Sequence, residues 1–413
     1  MMVTLFTPKF VDNIEIEEVL NGNFLSKKPL FPFGEVSINF LSGLSQKILG
    51  TAGIKTYAEL VALGYWLRKS NIISLINSFK KEVGDSEILV PRGLAFHIAP
   101  SNVDSIFLYS WALSLLAGNI NIVRVSQTQN DQLNLLLSAV REMFNDVMWK
   151  EIAERNIILT YPRDEKINRF ISLQADLRIL WGGDETIGSI RILPAKPATK
   201  DITFADKFSY SIIDSASFLK LDDDEKVQAG RRFYNDSYWF DQMACSSPRF
   251  VIFSGNKAAC EKASTAFWQS LEYELNRRSK SDTIDIAMEK LVYLYESISK
   301  TESAVTAVKP EALKPTVLRV DTSEISKFRE SCGGGFFFEC FIENIFELAN
   351  LVSKKDQTLA YFGFDKQLLK DFISKVNGAG IDRVVPLGQA LNFAPVWDGY
   401  SLLNELTKRV NII

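Results

Sequence analysis

Histidine is almost missing from this sequence: His97 is the only one among 413 residues. A serine triad would have to run through that one imidazole, and a zinc site would have almost no nitrogen ligands to draw on. Cysteine is sparse as well, at positions 245, 260, 332 and 340. No two of them share the close spacing of a zinc knuckle and they form no paired framework, so reduced thiols and no metal are expected. Charge of one sign is not in excess: 47 basic residues against 50 acidic ones leave a net charge of −3. That excludes a global electrostatic footprint for nucleic acid, and a phosphate-bearing ligand would need a local site. Met1 to Phe10 lacks the charged start and apolar run of a secretory signal, so a cytoplasmic location is expected. A clean hydrophobic span is lacking too. The largely apolar stretch Ile106 to Val123 is interrupted by Ser110, Ser114, Gly118, Asn119 and Asn121, which fits a buried helix turning into a strand better than a bilayer crossing.

What is present is a globular composition, with 46% hydrophobic and 23% charged residues, in a chain long enough for two or three domains. To about Ser86 the sequence reads as helical packaging, with Leu60, Leu63, Leu67, Ile72, Leu75, Ile76 and Phe79 at roughly helical spacing. From Ile88 short apolar runs alternate with helical stretches: Gly93 to Ile98, Ile120 to Val125, Asn156 to Leu159 and Leu177 to Trp181. This alternation predicts an α/β fold with a parallel sheet covered on both faces. A second unit begins near Ser209, with strands at Tyr210 to Ile213 and Arg249 to Phe253. Its predicted helices run from Asp222 to Phe233 and from Lys257 to Leu275, and a Gly333 to Gly335 turn leads into Phe336 to Phe338. The trio Asp222 to Asp224 is helix-start chemistry rather than a metal cluster.

Four segments carry chemistry. His97 to Val103 places Ala99, Pro100, Ser101 and Asn102 where a strand gives way to a helix, at the carboxyl end of a parallel sheet where ligands bind in doubly wound folds. Asn102 is equally suited to cap that helix. Leu116 to Gln127 is a helix end, a tight turn and a strand that delivers Arg124, Ser126 and Gln127. Trp181 to Gly188 is a strand, a Gly182-Gly183 turn and a helix start carrying Ile187, an arrangement that lets a diphosphate approach backbone N–H groups. Trp239 to Arg249 holds Cys245 in a polar loop flanked by serines and near an arginine, the setting of a reactive thiol, because only the thiolate attacks and burial opposes ionisation. Cys260, Cys332 and Cys340 lie in an alanine-rich helix or beside an apolar strand and read as packing residues. For His97 two roles stand open: a group near the chemistry, or a hydrogen-bonded structural imidazole.

The order and spacing of these segments resemble the aldehyde dehydrogenase superfamily. The wording Phe240-Asp241-Gln242 to Cys245-Ser246-Ser247-Pro248, with Gly380 to Gly388 and Trp397-Asp398-Gly399, is similar to its LuxC-type fatty acyl-CoA reductase branch. The resemblance covers about Ile88 to the C-terminus. It implies an aldehyde-dehydrogenase-like fold, a Rossmann-type cofactor domain plus an α/β catalytic domain. It also implies that Cys245 is the nucleophile, that the Asn102 amide is an oxyanion donor, that Arg124 lies at the adenosine ribose, and that Gly183 and Ile187 cover the cofactor diphosphate. One departure is informative: oxidising members carry a water-activating glutamate where this chain reads Thr203-Phe204-Ala205-Asp206-Lys207-Phe208, and no carboxylate matches it. The second glutamate of the superfamily is not recognisable near Gly333 to Phe338.

The expected organisation is an N-terminal part (1–87), a cofactor domain (88–208), a catalytic domain (209–385) and a C-terminal segment (386–413) that packs back on the cofactor domain or forms an oligomer interface. The expected activity is reduction of an acyl thioester, acyl-CoA or acyl-protein, to an aldehyde by hydride from NADPH, with NADH as the other donor. Two alternatives remain: an aldehyde dehydrogenase working toward the acid, and a catalytically silent subunit that carries acyl groups. The resemblance also implies homo-oligomers and an acyl-protein synthetase or acyl-transferase as a partner.

Overall fold

The computed structural model describes every residue except Ser101, Asn102, Asp104, Gln129 and the stretches 279–282, 303–305 and 308–314. Two compact units are present, Met1–Ala205 with Phe393–Ile413, and Asp206–Asn392.

In the first unit, β1 (Met2–Thr7) and β2 (Val11–Glu15) precede the helices α1 (Glu35–Gly50), α2 (Ala58–Trp66) and α3 (Lys69–Lys80). Then follow β3 (Glu87–Pro91), β4 (Leu94–Ile98), α4 (Ser105–Leu116), β5 (Ile120–Arg124), α5 (Asp131–Asn145), β6 (Asn156–Thr160), α6 (Glu165–Gln174), β7 (Leu177–Trp181), α7 (Asp184–Arg191) and β8 (Lys200–Phe204). The sheet order is β2-β1-β6-β5-β4-β7-β8. Strands β4 to β8 pair in parallel, and β4 and β7 are buried along their whole length, as strands covered on both faces must be. The chain moves outward from β4 through β5 to β6 and then crosses back to β7, so the strand order reverses between β4 and β7.

The N-terminal stretch is not helical packaging alone. β1 adds to the sheet antiparallel to β6, because Val3, Leu5 and Phe6 are apolar enough to be buried there. The predicted helical run Thr56 to Phe79 is two helices, broken at Arg68, whose backbone is extended. Near the chain end Thr407–Asn411 pairs antiparallel with β3.

The polar residues that interrupt the apolar stretch around Gly118 form a buried network. The Asn119 Oδ1 accepts from the backbone N–H groups of Arg92 and Gly93 at 2.8 and 3.2 Å, and its amide donates to Leu406 O at 2.9 Å. The Asn121 amide donates to Asn156 Oδ1 at 2.8 Å, which leaves Asn121 Oδ1 to accept from His97 Nε2 at 3.0 Å. His97 Nδ1 therefore accepts from the Ser110 hydroxyl at 3.1 Å. Burial holds the imidazole at a pKa of about 4, against the opposing Asn121 bond, so His97 is a neutral structural group at physiological pH.

A histidine held below its unfolded value stabilises the fold above that value, and the contribution is lost as pH falls through the folded pKa. We expect about 3 kcal/mol to be lost between pH 6.5 and 4. Urea midpoints against pH for the native chain and for His97→Gln measure it. Parallel curves for the two proteins would contradict the assignment.

The second unit contains β9 (Phe208–Asp214), α8 (Asp223–Tyr238), β10 (Phe250–Ser254), α9 (Lys257–Arg278), α10 (Ile284–Lys300), β11 (Thr306–Ala307), β12 (Thr316–Arg319), β13 (Phe336–Ile342), β14 (Asp356–Phe362), α11 (Lys366–Val376) and β15 (Arg383–Pro386). The sheet order is β11-β12-β13-β10-β9-β14-β15, parallel except for the β11 edge. An aromatic layer fixes the central strands: Phe250 stacks on Phe338 at 5.3 Å, and Phe338 on Phe328 at 4.4 Å. Asp222 opens α8 with a reciprocal capping box to Glu225, so the acidic trio is helix-start chemistry.

Candidate active site

Seven of the residues singled out from the sequence in the first unit cluster at the carboxyl ends of β4, β5 and β7, where the strand order reverses and doubly wound folds bind ligands. They are Ala99, Arg124, Ser126, Gln127, Gly182, Gly183 and Ile187. Pro100 follows Ala99 directly, whereas Ser101 and Asn102 lie outside the described residues. The Ala99 N–H donates to Arg124 O at 2.9 Å, fixing the β4 exit to the end of β5. Arg124 closes β5. Its Nη2 donates to Tyr161 O at 3.1 Å, its Cζ lies 4.9 Å from the Tyr161 ring centroid, and its buried Nε has no hydrogen-bond partner among the described residues. Burial lowers its pKa, with the exposed Arg163 adding a smaller like-charge push. Ser126 Oγ accepts from the Thr128 N–H at 3.1 Å, and Gln127 is exposed.

Beyond β7, Trp181 stacks on Phe204 at 3.7 Å. Gly183 is the N-cap of α7 and offers no side-chain cap, so no side chain covers the first N–H groups of that helix through its cap. Ile187 is buried in the core of this unit and seats the helix. Asp184 and Glu185 are exposed in its first turn. A diphosphate here would rest on backbone N–H groups rather than on side-chain cations. An orphaned guanidinium nitrogen and an uncapped helix start are features that an adenine dinucleotide would satisfy.

In the second unit the candidate nucleophile sits at the opposite kind of edge, the amino ends of β9, β10, β13 and β14. The loop between α8 and β10 begins with two non-glycine residues in the left-handed region, Asp241 (φ 48°) and Gln242 (φ 64°). Each costs about 1–2 kcal/mol of backbone energy, held only where surrounding contacts over-determine it. The contacts come from Gln242, which is fully buried. Its amide donates to Pro248 O at 3.0 Å and Phe336 O at 2.9 Å, and its Oε1 accepts from the Gly335 N–H at 3.1 Å. The Gly334 N–H also donates to Asp241 O at 2.8 Å. The glycine turn before β13 thus clamps the cysteine loop.

Cys245 is half-buried and in no disulfide. Ser209, at the start of β9, donates from its hydroxyl to Cys245 O at 2.7 Å, and the Gln357 amide donates to Cys245 Sγ at 3.4 Å. The Arg249 charge acts on the sulfur: burial lowers the arginine pKa, and Cys245 is the largest of the influences that raise it again. Its Nη1 donates to Lys207 O at 3.3 Å. The other thiols are held neutral. Burial pushes Cys332 up to about 12 and raises Cys340 and Cys260.

Thr203, in the segment where oxidising aldehyde dehydrogenases carry their glutamate, belongs to β8, and Asp206 is exposed. Among the described residues no group of three acids, histidines or cysteines could hold a metal ion, and no helix is long and apolar enough to cross a membrane.

Sequence reasoning did not single out Ser209, Gln357 or Arg163. No local signal marks them, since each acquires its place through strand pairing or proximity across the fold. Gln242 stood in the quoted motif without a role, and its buried amide geometry supplies one.

The sequence model of the family described as Acyl-CoA reductase (LuxC) matches residues 71–409. A curated relative, the long-chain acyl-protein thioester reductase of Aliivibrio fischeri, is 24% identical over 307 residues. The matched stretch covers 72% of this chain but only 59% of that relative's length. Among solved structures, the NAD-dependent aldehyde dehydrogenase of Sinorhizobium meliloti superposes with a TM-score of 0.68 at 11% identity, over 93% of this chain and 82% of that one. The NAD-dependent benzaldehyde dehydrogenase of Corynebacterium glutamicum gives 0.62 at 12%, over 94% and 85%. Lactaldehyde dehydrogenase of Escherichia coli gives 0.61 at 14%, over 91% and 84%. Those three likenesses establish the fold. An aldehyde-dehydrogenase-like α/β chain with its family match running across both units and through the cysteine loop, this protein belongs to the acyl-CoA reductase (LuxC) family.

Proposed function

We propose that this chain reduces an acyl thioester, carried on coenzyme A or on a protein, to the aldehyde through an acyl-Cys245 intermediate. The observation that carries the reading is the Cys245 loop: an amide donor meets the Cys245 sulfur, a buried amide holds its loop and the Arg249 charge acts on it, while burial keeps the other three thiols protonated, Cys332 included despite the Lys290 and Arg249 charges. In that setting the thiolate is the reactive form. Its sulfur attacks the thioester carbonyl, the carrier thiol leaves, and the acyl group remains on Cys245. Arg124 and the backbone N–H groups at the start of α7 would hold a reduced nicotinamide dinucleotide, which would supply the hydride. Asn102 is the proposed side-chain donor to the oxyanion at the carbonyl carbon. Collapse of the Cys245 thiohemiacetal releases the aldehyde and returns the thiolate.

Thr203 favours reduction over oxidation to the acid, because a hydroxyl cannot serve as the general base that a carboxylate would be, and water then attacks the acyl-cysteine slowly. For the donor we favour NADPH. Arg124, pinned by Tyr161 O, and the nearby Arg163 are two cations that an added phosphate monoester would neutralise, and the exposed Gln127 carries no charge to repel it. The acylating partner and the homo-oligomer belong to the same reading, as does a cytoplasmic setting. So does the division of labour between units: cofactor in the first, nucleophile in the second.

A single-turnover experiment tests the whole. Given acyl thioester without reduced cofactor, the protein should accumulate acyl-Cys245, detected by mass spectrometry, with little free acid. A chase with NADPH should then release aldehyde faster than NADH does, and Arg124→Ala should narrow that gap by about 1–3 kcal/mol. Rapid release of free acid would overturn the reductase reading. Equal chases by the two cofactors would overturn the NADPH assignment.

A further inference from the structure

Strand β14 is irregular at its start. Asp356 lies opposite Phe208 of β9, but Leu359, three residues on, lies opposite Tyr210, only two residues on. One extra residue is therefore inserted in β14, and Gln357 and Thr358 occupy the bulge. Bulges of this kind turn a side chain out of the regular alternation. Here the Thr358 N–H is met by the Ser209 hydroxyl at 3.2 Å, the same hydroxyl that donates to Cys245 O. Gln357 and Thr358 are both fully buried. The Gln357 amide is oriented by Thr358, whose Oγ1 donates to Gln357 Oε1 at 3.3 Å, and this turns Nε2 toward Cys245 Sγ at 3.4 Å.

We infer that Gln357, set by the β14 bulge, is a thiolate-stabilising residue: its amide N–H fixes the direction of the Cys245 sulfur and favours its ionised form. The inference rests on Cys245 being the nucleophile proposed above. A neutral amide suits this role. It stabilises negative charge through one directed bond and remains a donor at every pH, while Arg249 supplies the charge from the loop itself. The bulge makes the arrangement specific, because a regular strand would alternate Gln357 and its neighbours between the two faces of the sheet.

The test is the pH dependence of iodoacetamide alkylation at Cys245, read by peptide mass spectrometry from pH 5 to 10, in the native chain, Gln357→Met and Gln357→Glu. Methionine keeps the length of the side chain without a donor, and glutamate keeps its shape but brings a like charge to the sulfur. The alkylation midpoint should rise by on the order of one pH unit in the methionine variant, a tenfold loss of thiolate at neutral pH, and by more in the glutamate variant. Aldehyde formation at pH 7 should fall by the same factor in Gln357→Met and recover toward pH 9, which a merely structural role would not produce. Midpoints that coincide with the native one would overturn the inference. So would a native midpoint at or above about 8.5, the value of an ordinary thiol, a measurement that needs no variant to fold. If complete alkylation of Cys245 left turnover intact, the nucleophile assignment would fail by itself, while the pH profiles would still decide the role of Gln357.

Discussion

Replacing Cys245 by alanine is expected to abolish acyl labelling and to lower aldehyde formation by on the order of 10⁴-fold or more, the scale on which losing a covalent nucleophile is felt. The fold should barely register the change. The loop is held through the Gln242 amide and through the backbone carbonyl of Cys245, neither of which the substitution removes. A half-exposed side chain trimmed by one atom costs less than about 1 kcal/mol. Loss of turnover at unchanged stability separates a chemical role from a structural one. The matching substitutions at Cys260, Cys332 and Cys340 should behave in the opposite way, with turnover kept and, for the buried pair, some stability lost. Serine at 245 should be nearly as inactive as alanine, because no imidazole is available to activate a hydroxyl: both ring nitrogens of His97, the only histidine, are hydrogen-bonded in the core of the first unit. Turnover of Cys245→Ala near the native rate would remove the basis of the proposed reaction.

Gly335→Ala should be among the most damaging single changes to the second unit. Its φ of +80° already disfavours any side chain, by about 1–2 kcal/mol. A Cβ there would also lie 2.1 Å from the hydroxyl of Tyr238 and 2.6 Å from the ring carbon bearing it. Tyr238 is buried and stacks on Tyr234 at 5.3 Å, so it has little room to withdraw. Overpacking of that kind adds about 1–3 kcal/mol. The sum, about 2–5 kcal/mol, should show in urea unfolding. Gly378→Ala is the internal reference, since it has a similar φ of +74° and nothing within 4 Å of the added carbon, and should lose only the backbone part. Because the Gly335 N–H is held by Gln242, the variant should also displace the cysteine loop and slow alkylation of Cys245 in whatever folded fraction remains. Equal destabilisation at 335 and 378 would show that the Tyr238 contact relaxes freely.

Much of this was readable from residue order because the features concerned are local. Buried parallel strands appear as short apolar runs, and Ile120 to Val125 and Leu177 to Trp181 fell within a residue of the observed β5 and β7. Arg124, Gly182 and Gly183 each stood at a strand-to-helix turn, and the family resemblance assigned Arg124 and Gly183 to one cofactor. Cys245 stood out by the polarity of its neighbours. What escaped depends on pairings distant in sequence. Met2–Thr7 becomes a strand because β6, some 150 positions later, offers it an edge. Gln357 reaches the sulfur only because β14 carries an extra residue against β9, and register is invisible in a single strand's composition. Gly335 could be read as a turn, but the tyrosine that requires glycine there sits at the end of α8, almost a hundred positions earlier.

The first unit is assembled from the two ends of the sequence, and this orders events during synthesis. Asn119 Nδ2 has one of its two acceptors at Leu406 O, Arg92 Nε donates to Glu405 O, and β3 pairs with Thr407–Asn411. The unit that begins first therefore closes last. While the ribosome makes Asp206–Asn392, whose contacts are contiguous, the earlier unit must wait with a buried amide short of one of its two acceptors and a strand lacking its mate. A nascent chain stalled just after Asn392 clears the exit tunnel would have the whole cysteine loop outside the ribosome, tethered to a unit in which β3 has no strand to pair with.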